Sequence, residues 1–245
     1  MRKFGLIGYP LGHSFSKKYF SEKFAKEKIE GCQYELYEIP QATDLKKILR
    51  DNPELEGLNV TIPYKQDVIG MMDDLDEACA EIGAVNCIQI EKNGRLKGYN
   101  TDYIGFRDSL INWLGKVPNA LVLGTGGASK AVKQAFKDLG VEFLAVSRTA
   151  GENVITYTDL EADPSILQKY TLIVNTTPLG TYPKVVGMPD IPIEQLGPDH
   201  FIYDLVYNPS ETSLMKVGTL RGGSAKNGME MLVLQAEAAW KLWNS

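Results

Sequence analysis

Hydrophobic and polar positions divide the chain into short stretches of two different periods. In "LNVTIPYK" at 58–65, Leu58, Val60 and Ile62 alternate with Asn59 and Thr61, the period of a pleated strand with one apolar and one polar face. Pro63 cannot donate to a sheet ladder, so the strand ends near it, with Lys65 just beyond. Two readings stay open for that polar face: an edge strand with one wet side, or the wall of a site where short hydrogen-bonding side chains and an ammonium converge. Strands are also predicted at 3–9 and 32–39, with an amphipathic helix at 16–29 that Ser16 could cap. Helical stretches follow within 66–83, and strands at 84–90 and 95–99 are joined by Asn93-Gly94, a hairpin signal. The first part is an α/β module.

A helical pattern at 102–115 leads into a second run: an apolar strand at 120–124, a helix through 129–140 and a strand at 141–147. That order is a βαβ unit. Further strands are predicted at 171–177 and 200–207, and the tail at 228–243 reads as a long helix. Neither internal repeats nor low-complexity segments are evident.

Composition narrows the class of function. The 245 residues suffice for one large domain or two modest ones, and two become attractive only if the motifs divide. Twenty-six basic and 31 acidic side chains leave a net charge of -5, and no Lys/Arg cluster is dense enough to track a phosphate backbone, so nucleic acid is not an expected partner. The apolar stretch after Met1 is too short for a signal peptide, and no run approaches membrane-spanning length; a soluble, cytoplasmic protein is expected. Cys32, Cys79 and Cys87 lack metal-site spacing and are odd in number, which suits small core residues in a reducing compartment. With His13 and His200 the only histidines, a histidine-rich metal cluster is excluded, no metal is expected, and catalysis would lean on other groups.

The segment "GTGGAS" at 124–129 follows an apolar strand and opens a helix. Gly124 permits a tight turn, Gly126 lets backbone approach a pyrophosphate, and the helix start at Gly127, Ala128 and Ser129 offers N–H groups to an anion. Ser129 stands where the common fingerprint has its third glycine, and Thr125 lies between the first two. Strand before and helix after give the dinucleotide reading its context. At the end of the next strand, where an NAD site places an acid on the ribose 2′-OH, this chain has Ser147-Arg148-Thr149. A guanidinium fork matches phosphate oxygens, so NADP(H) is the expected cofactor rather than NAD(H).

Together the segments "HSFS" at 13–16, "NVTIPYK" at 59–65, "GAVN" at 83–86, "YNTDYIG" at 99–105, "GTGGAS", "SRT", "NTTPLG" at 175–180, "YDLVYNP" at 203–209 and "NGMEMLVLQA" at 227–236 resemble the shikimate dehydrogenase family along the whole chain. The resemblance implies reversible, NADP-dependent reduction of 3-dehydroshikimate to shikimate, in aromatic amino-acid biosynthesis. It implies an α/β fold of two domains, a substrate-binding domain at 1–101 plus 228–245 and a doubly wound Rossmann-type NADP-binding domain at 102–227, with the active site in the cleft between them and a monomer or homodimer. Its catalytic pair falls on Lys65 and Asp102. Its substrate-binding positions fall on Ser14, Ser16, Asn59, Thr61, Lys65, Asn86, Asp102, Tyr207 and Gln235. Its cofactor positions fall on 124–129, on Ser147, Arg148 and Thr149, and on Thr176, Leu205 and Gly228. Ser147 stands in place of the family's usual Asn, and residues 150–153 bring no second cation, so preference for NADP over NAD is expected to be weaker here.

The residue types suit that chemistry. A small ring carrying a carboxylate and three hydroxyls calls for short, fixed donors and acceptors, which Ser, Thr, Asn and Gln supply. Ser14 and Ser16 share a side of any extended segment and could grip the carboxylate together. Gln235 lies in helical register with Met231, Ala239 and Leu242, so it projects from an apolar face and needs a partner, whether a ligand hydroxyl or a backbone carbonyl. Hydride transfer to a ketone builds charge on oxygen that a Lys ammonium can stabilise and protonate. Lys65 would stand at a helix start, where the dipole disfavours a cation, and "NTD" at 100–102 reads equally as an N-cap. Relatives that take quinate or prefer NAD, and a binding protein without catalysis, are the rival readings.

Overall fold

The computed structural model describes residues 1–12 and 14–245; His13 of the His-Ser-Phe-Ser segment lies outside the described residues. The chain divides into two compact units, residues 1–104 with 235–245, and residues 105–234. In the first, the order is β1 (Arg2–Gly8), α1 (Phe15–Lys26), β2 (Cys32–Glu38), α2 (Leu45–Asp51), β3 (Leu55–Val60), β4 (Asp74–Leu75), α3 (Glu77–Ile82), β5 (Cys87–Ile90) and β6 (Leu96–Tyr99), leading into α4 (Thr101–Leu114). Its sheet runs β2-β1-β3-β5-β6-β4. β1 pairs in parallel with β2 and β3, whereas β5 is antiparallel to β3 and β6. The antiparallel turn is made where Asn93-Gly94 predicts it: Gly94 has φ +83°, and Asn93 Oδ1 accepts from the N–H of Arg95 at 2.9 Å.

One face of this sheet carries an aromatic core. Phe4, Phe20 and Tyr34 are buried, and Phe20 stacks on Tyr34 with ring centroids 4.6 Å apart. The terminal helix docks here through Trp243, which lies against Gly57 of β3 so closely that a Cβ at 57 would sit 2.1 Å from the indole nitrogen. The indole N–H donates to the carbonyl of Ile88 at 3.0 Å.

The second unit continues with β7 (Ala120–Leu123), α5 (Gly127–Asp138), β8 (Phe143–Ser147), β9 (Val154–Thr156), α6 (Tyr157–Ala162), α7 (Ser165–Lys169), β10 (Leu172–Asn175), β11 (Phe201–Asp204), α8 (Ser213–Leu220), β12 (Ser224–Asn227) and the start of α9 (Met229–Trp243). Its sheet runs β12-β11-β10-β7-β8-β9 with every pairing parallel. This is the doubly wound order, with direction reversing between β7 and β10, where such sheets bind ligands beyond their strand ends. β7 and β10 read as unbroken apolar runs because both faces are covered; Leu121, Val122, Ile173 and Val174 are fully buried. α5 buries Ala131, Val132, Ala135 and Phe136 on one side, the amphipathic stripe its sequence predicts.

Several expectations need correction. α1 is capped by Ser14, whose Oγ accepts from Lys17 N–H at 3.3 Å, and Ser16 lies one residue inside the helix. β3 stops at Val60, so Thr61 and Ile62 belong to the following turn. Residues 66–83 hold only a short 3-10 turn, β4 and the six-residue α3. The strand expected through Tyr207 ends at Asp204. α2, β9, α6, α7, α8 and β12 were not among the expected elements.

Candidate active site

The turn after β3 and the first turn of α4 bring two predicted residues together: Lys65 Nζ donates to Asp102 Oδ2 at 2.6 Å, with both side chains partly buried. The N-cap of α4 is Asn100, whose Oδ1 accepts from Tyr103 N–H at 3.1 Å, so Asp102 is not spent on capping. Lys65 lies in a run of turns rather than at a helix start, which removes the dipole argument; its carbonyl accepts from Val85 N–H at 2.7 Å.

Beside this pair runs a chain of buried polar side chains. Tyr34 hydroxyl donates to Asn59 Oδ1 at 2.8 Å, and Asn59 Nδ2 donates to the Asn86 carbonyl at 3.3 Å. Asn86 Oδ1 accepts from both the N–H of Thr101, at 2.6 Å, and its hydroxyl, at 3.2 Å. The Thr101 hydroxyl also lies 3.4 Å from Gln235 Oε1. The polar group on the apolar face of α9 therefore finds a hydroxyl partner. Buried amides with mutual partners hold fixed orientations, which suits a site for a small polyol. Burial pushes the Tyr34 phenol well up, and the Ser16 hydroxyl beside it pulls the other way. That places Ser16 at the start of the chain; Ser14 is engaged as a cap, so the two serines do not share an extended segment. Thr61 packs its methyl toward Gly8 and is half-buried. Tyr207 belongs to the second unit, in the exposed loop after β11.

Tyr34 and Thr101 were missed by sequence reasoning. Tyr34 looks like any strand aromatic, and Thr101 sits inside a pattern that reads as a helix start. Only the register of Leu6 beside Leu36 on one side of β1 and Asn59 on the other, with Tyr34 two residues away on β2, brings the phenol to Asn59.

In the second unit, the loops after β7, β8 and β10 enclose a cavity of about 730 Å³ lined by Gly124, Thr125, Gly126, Ser147, Arg148 and Thr176 of the predicted set, together with Tyr157, Thr177, Met188 and Asp190 among others. Gly124 has φ +104°, and a Cβ there would meet Thr176 Oγ1 at 2.9 Å, so only glycine serves the turn. Thr176 Oγ1 donates to the Leu123 carbonyl at 2.7 Å and fixes the β10 loop against the β7 loop. Ser129 N–H bonds back to the Gly126 carbonyl at 3.1 Å, which leaves the N–H groups of Gly127 and Ala128 as the donors at the start of α5. Gly127, Ala128, Ser129, Thr149, Leu205 and Gly228 do not line this cavity. Gly228 instead lies against Leu205, whose carbonyl oxygen would be 2.1 Å from any Cβ at 228. Arg148 is exposed and has no ion pair among the described residues. His200 is buried and occupied: its Nδ1 accepts from Gly197 N–H at 3.0 Å and its Nε2 lies 3.1 Å from the Leu167 carbonyl.

A model of the shikimate dehydrogenase substrate binding domain matches residues 6–88. A shikimate dehydrogenase (NADP(+)) of Clostridium beijerinckii is 39% identical over 256 residues, spanning 99% of this chain and 92% of the relative. Among solved structures, the chorismate mutase/shikimate 5-dehydrogenase fusion protein of Clostridium acetobutylicum is 37% identical, with a TM-score of 0.87 covering 100% of this chain and 91% of the other. The shikimate 5-dehydrogenase of Listeria monocytogenes, in complex with shikimate and NAD, is 25% identical with a TM-score of 0.89 and coverage of 100% and 92%. With its doubly wound sheet, its glycine turn and relatives of this identity over nearly its full length, the chain belongs to the shikimate dehydrogenase family.

Proposed function

We propose that this protein is an NADP-dependent shikimate dehydrogenase that interconverts 3-dehydroshikimate and shikimate. The observation that carries the assignment is the Lys65–Asp102 contact at 2.6 Å beside the network of Asn59, Asn86, Thr101 and Gln235. Family membership supports it, and the residues fit the cofactor. The first unpartnered N–H groups of α5 suit a pyrophosphate, and Arg148, which has no ion pair among the described residues, suits a 2′-phosphate at the end of β8. Gly124, Thr125, Gly126, Ser147, Arg148 and Thr176 would hold NADP(H), which supplies or accepts the hydride when bound.

The rest of the chemistry belongs to the protein. During reduction of the ketone, negative charge grows on its oxygen. Lys65 stabilises that charge and delivers the proton from Nζ, and in the reverse direction takes it back. Asp102 holds the ammonium at one position and accepts from a neighbouring substrate hydroxyl. Asn59, Asn86 and Gln235, already fixed by their mutual bonds, offer remaining donors and acceptors to the other hydroxyls. Ser14 and Ser16 at the start of α1 supply hydroxyl donors to the carboxylate.

Absorbance of the reduced nicotinamide, followed with shikimate or quinate and with NADP+ or NAD+ in all four pairings, tests the reading. Shikimate with NADP+ is expected to give the highest kcat/KM. A higher value with quinate, or turnover with none of the four, overturns it.

A further inference from the structure

The cavity beside the glycine turn contains more than the recognition elements named so far. Among the described residues that line it, Arg148 is the one cation and Asp190 the one carboxylate. Tyr157, the first residue of α6, also lines it. Its ring packs against the hydrophobic core of Leu121, Val146 and Leu160, which fixes the phenol in place. Thr156 caps α6 through a reciprocal pair of bonds with Asp159, so the backbone that carries Tyr157 is pinned as well. The Tyr157 hydroxyl has no hydrogen-bond partner among the described residues, and neither has the Arg148 guanidinium. Both charged groups of the cavity act on the phenol: burial raises its pKa most, Arg148 pulls it down and Asp190 pushes it up.

A half-buried phenol held rigid on a core, with its donor unused beside an equally unused guanidinium, is arranged for an anion. We infer that the Tyr157 hydroxyl is a second donor to the 2′-phosphate of NADP(H), beside Arg148, and so helps determine cofactor choice. This rests on the dinucleotide reading of the cavity. It also accounts for how a chain with no second cation at 150–153 can discriminate a phosphate from a hydroxyl. A neutral donor is less favourable to the phosphate than a cation, but a rigid one loses little entropy on binding it.

The test is calorimetric titration of NADP+ and NAD+ into the wild-type protein, Tyr157→Phe and Arg148→Gln. Tyr157→Phe keeps the ring and removes the donor, and is expected to raise the Kd for NADP+ about tenfold while that for NAD+ moves less than about twofold. Equal losses on both cofactors would mean that Tyr157 acts as a surface for the adenine or as packing, and an unchanged Kd for NADP+ would mean that it plays no part; either overturns the inference. Arg148→Gln separates the two levels. If it weakens NADP+ alone while Tyr157→Phe does not, the cavity is the phosphate site and only Tyr157 is misassigned. If Arg148→Gln changes neither Kd, the phosphate reading of the cavity falls, and the inference with it.

Discussion

Lys65 and Asp102, 37 residues apart in sequence, meet at 2.6 Å because the turn after β3 is pinned to Val85 and the first turn of α4 is capped by Asn100. With capping assigned to a different side chain, Asp102 is available to hold the ammonium. Under the proposed mechanism Lys65→Ala removes both the proton donor and the positive charge, and it is expected to lower kcat for shikimate oxidation by about a hundredfold or more. Asp102→Asn preserves the shape but not the charge, and should also lower kcat while raising KM for shikimate. Steady-state kinetics with saturating NADP+ decides this. A Lys65→Ala variant with near wild-type kcat removes Lys65 from the chemistry.

Asp190 places a carboxylate in the cavity that holds Arg148. A negative group near a bound phosphate opposes it, although the exposure of both side chains keeps the effect small. Asp190→Asn is therefore expected to tighten NADP+ about two- to threefold and to leave NAD+ less affected. The gap should shrink as salt is raised. Titrations of both cofactors at low and high ionic strength test it; an unchanged ratio of the two Kd values means that the carboxylate is too far away to count.

In the second unit the stretch from β7 through α5 to β8 was legible because it follows the βαβ order, whereas β9, α6, α7, α8 and β12 were not read. The glycine turn, the strand before it, the helix after it and Arg148 at the next strand end were all read from local pattern, and the cavity gathers Gly124, Gly126, Ser147 and Arg148. The polar chain of the first unit was legible only in part. Asn59 stands out as a polar residue in a strand pattern and Asn86 only through the family resemblance, but Tyr34 joins them only through parallel register, which no local signal encodes. Ser14 and Ser16 show the same limit at short range: two serines flanking a phenylalanine leave the cap ambiguous by two residues, and the backbone chose Ser14. Short elements such as β12 and α7 lay below the length at which period can be recognised.

Gly57 is a stability determinant that sequence reading passed over. Alanine there would put a methyl 2.1 Å from the Trp243 indole nitrogen and displace the ring from its bond to the Ile88 carbonyl. Overpacking of this kind costs about 1–3 kcal/mol, with the lost bond added. Gly57→Ala should lower the melting temperature by several degrees. Trp243→Ala opens the space, so adding Gly57→Ala to that variant should cost clearly less than in the wild type. Additive losses in the double variant would show that the two residues do not compete for the same volume.

Asp204 is fully buried at the end of β11, where its carboxylate accepts from Asn175 Nδ2 at 2.9 Å, Val206 N–H at 3.0 Å and the Thr212 hydroxyl at 2.7 Å. Desolvation by burial is the largest influence and raises its pKa above the ordinary 3.8; the three donors pull the other way without cancelling it. An acid whose pKa is higher in the folded state binds its proton more tightly there, so its protonated form favours folding below the ordinary value. That advantage is lost as pH rises through the raised one. At neutral pH the ionised carboxylate is therefore a net cost relative to its protonated form. Asp204→Asn keeps an acceptor for Asn175 and Val206, presents its amide to the Thr212 oxygen, and carries no charge at any pH. The difference in melting temperature, variant minus wild type, should thus shift in the variant's favour between about pH 4 and pH 7. Thermal melts of both proteins across that range measure it. A difference that stays constant would show that the three donors cancel burial, and one that moves toward the wild type with rising pH would show that they outweigh it; either outcome overturns the raised pKa.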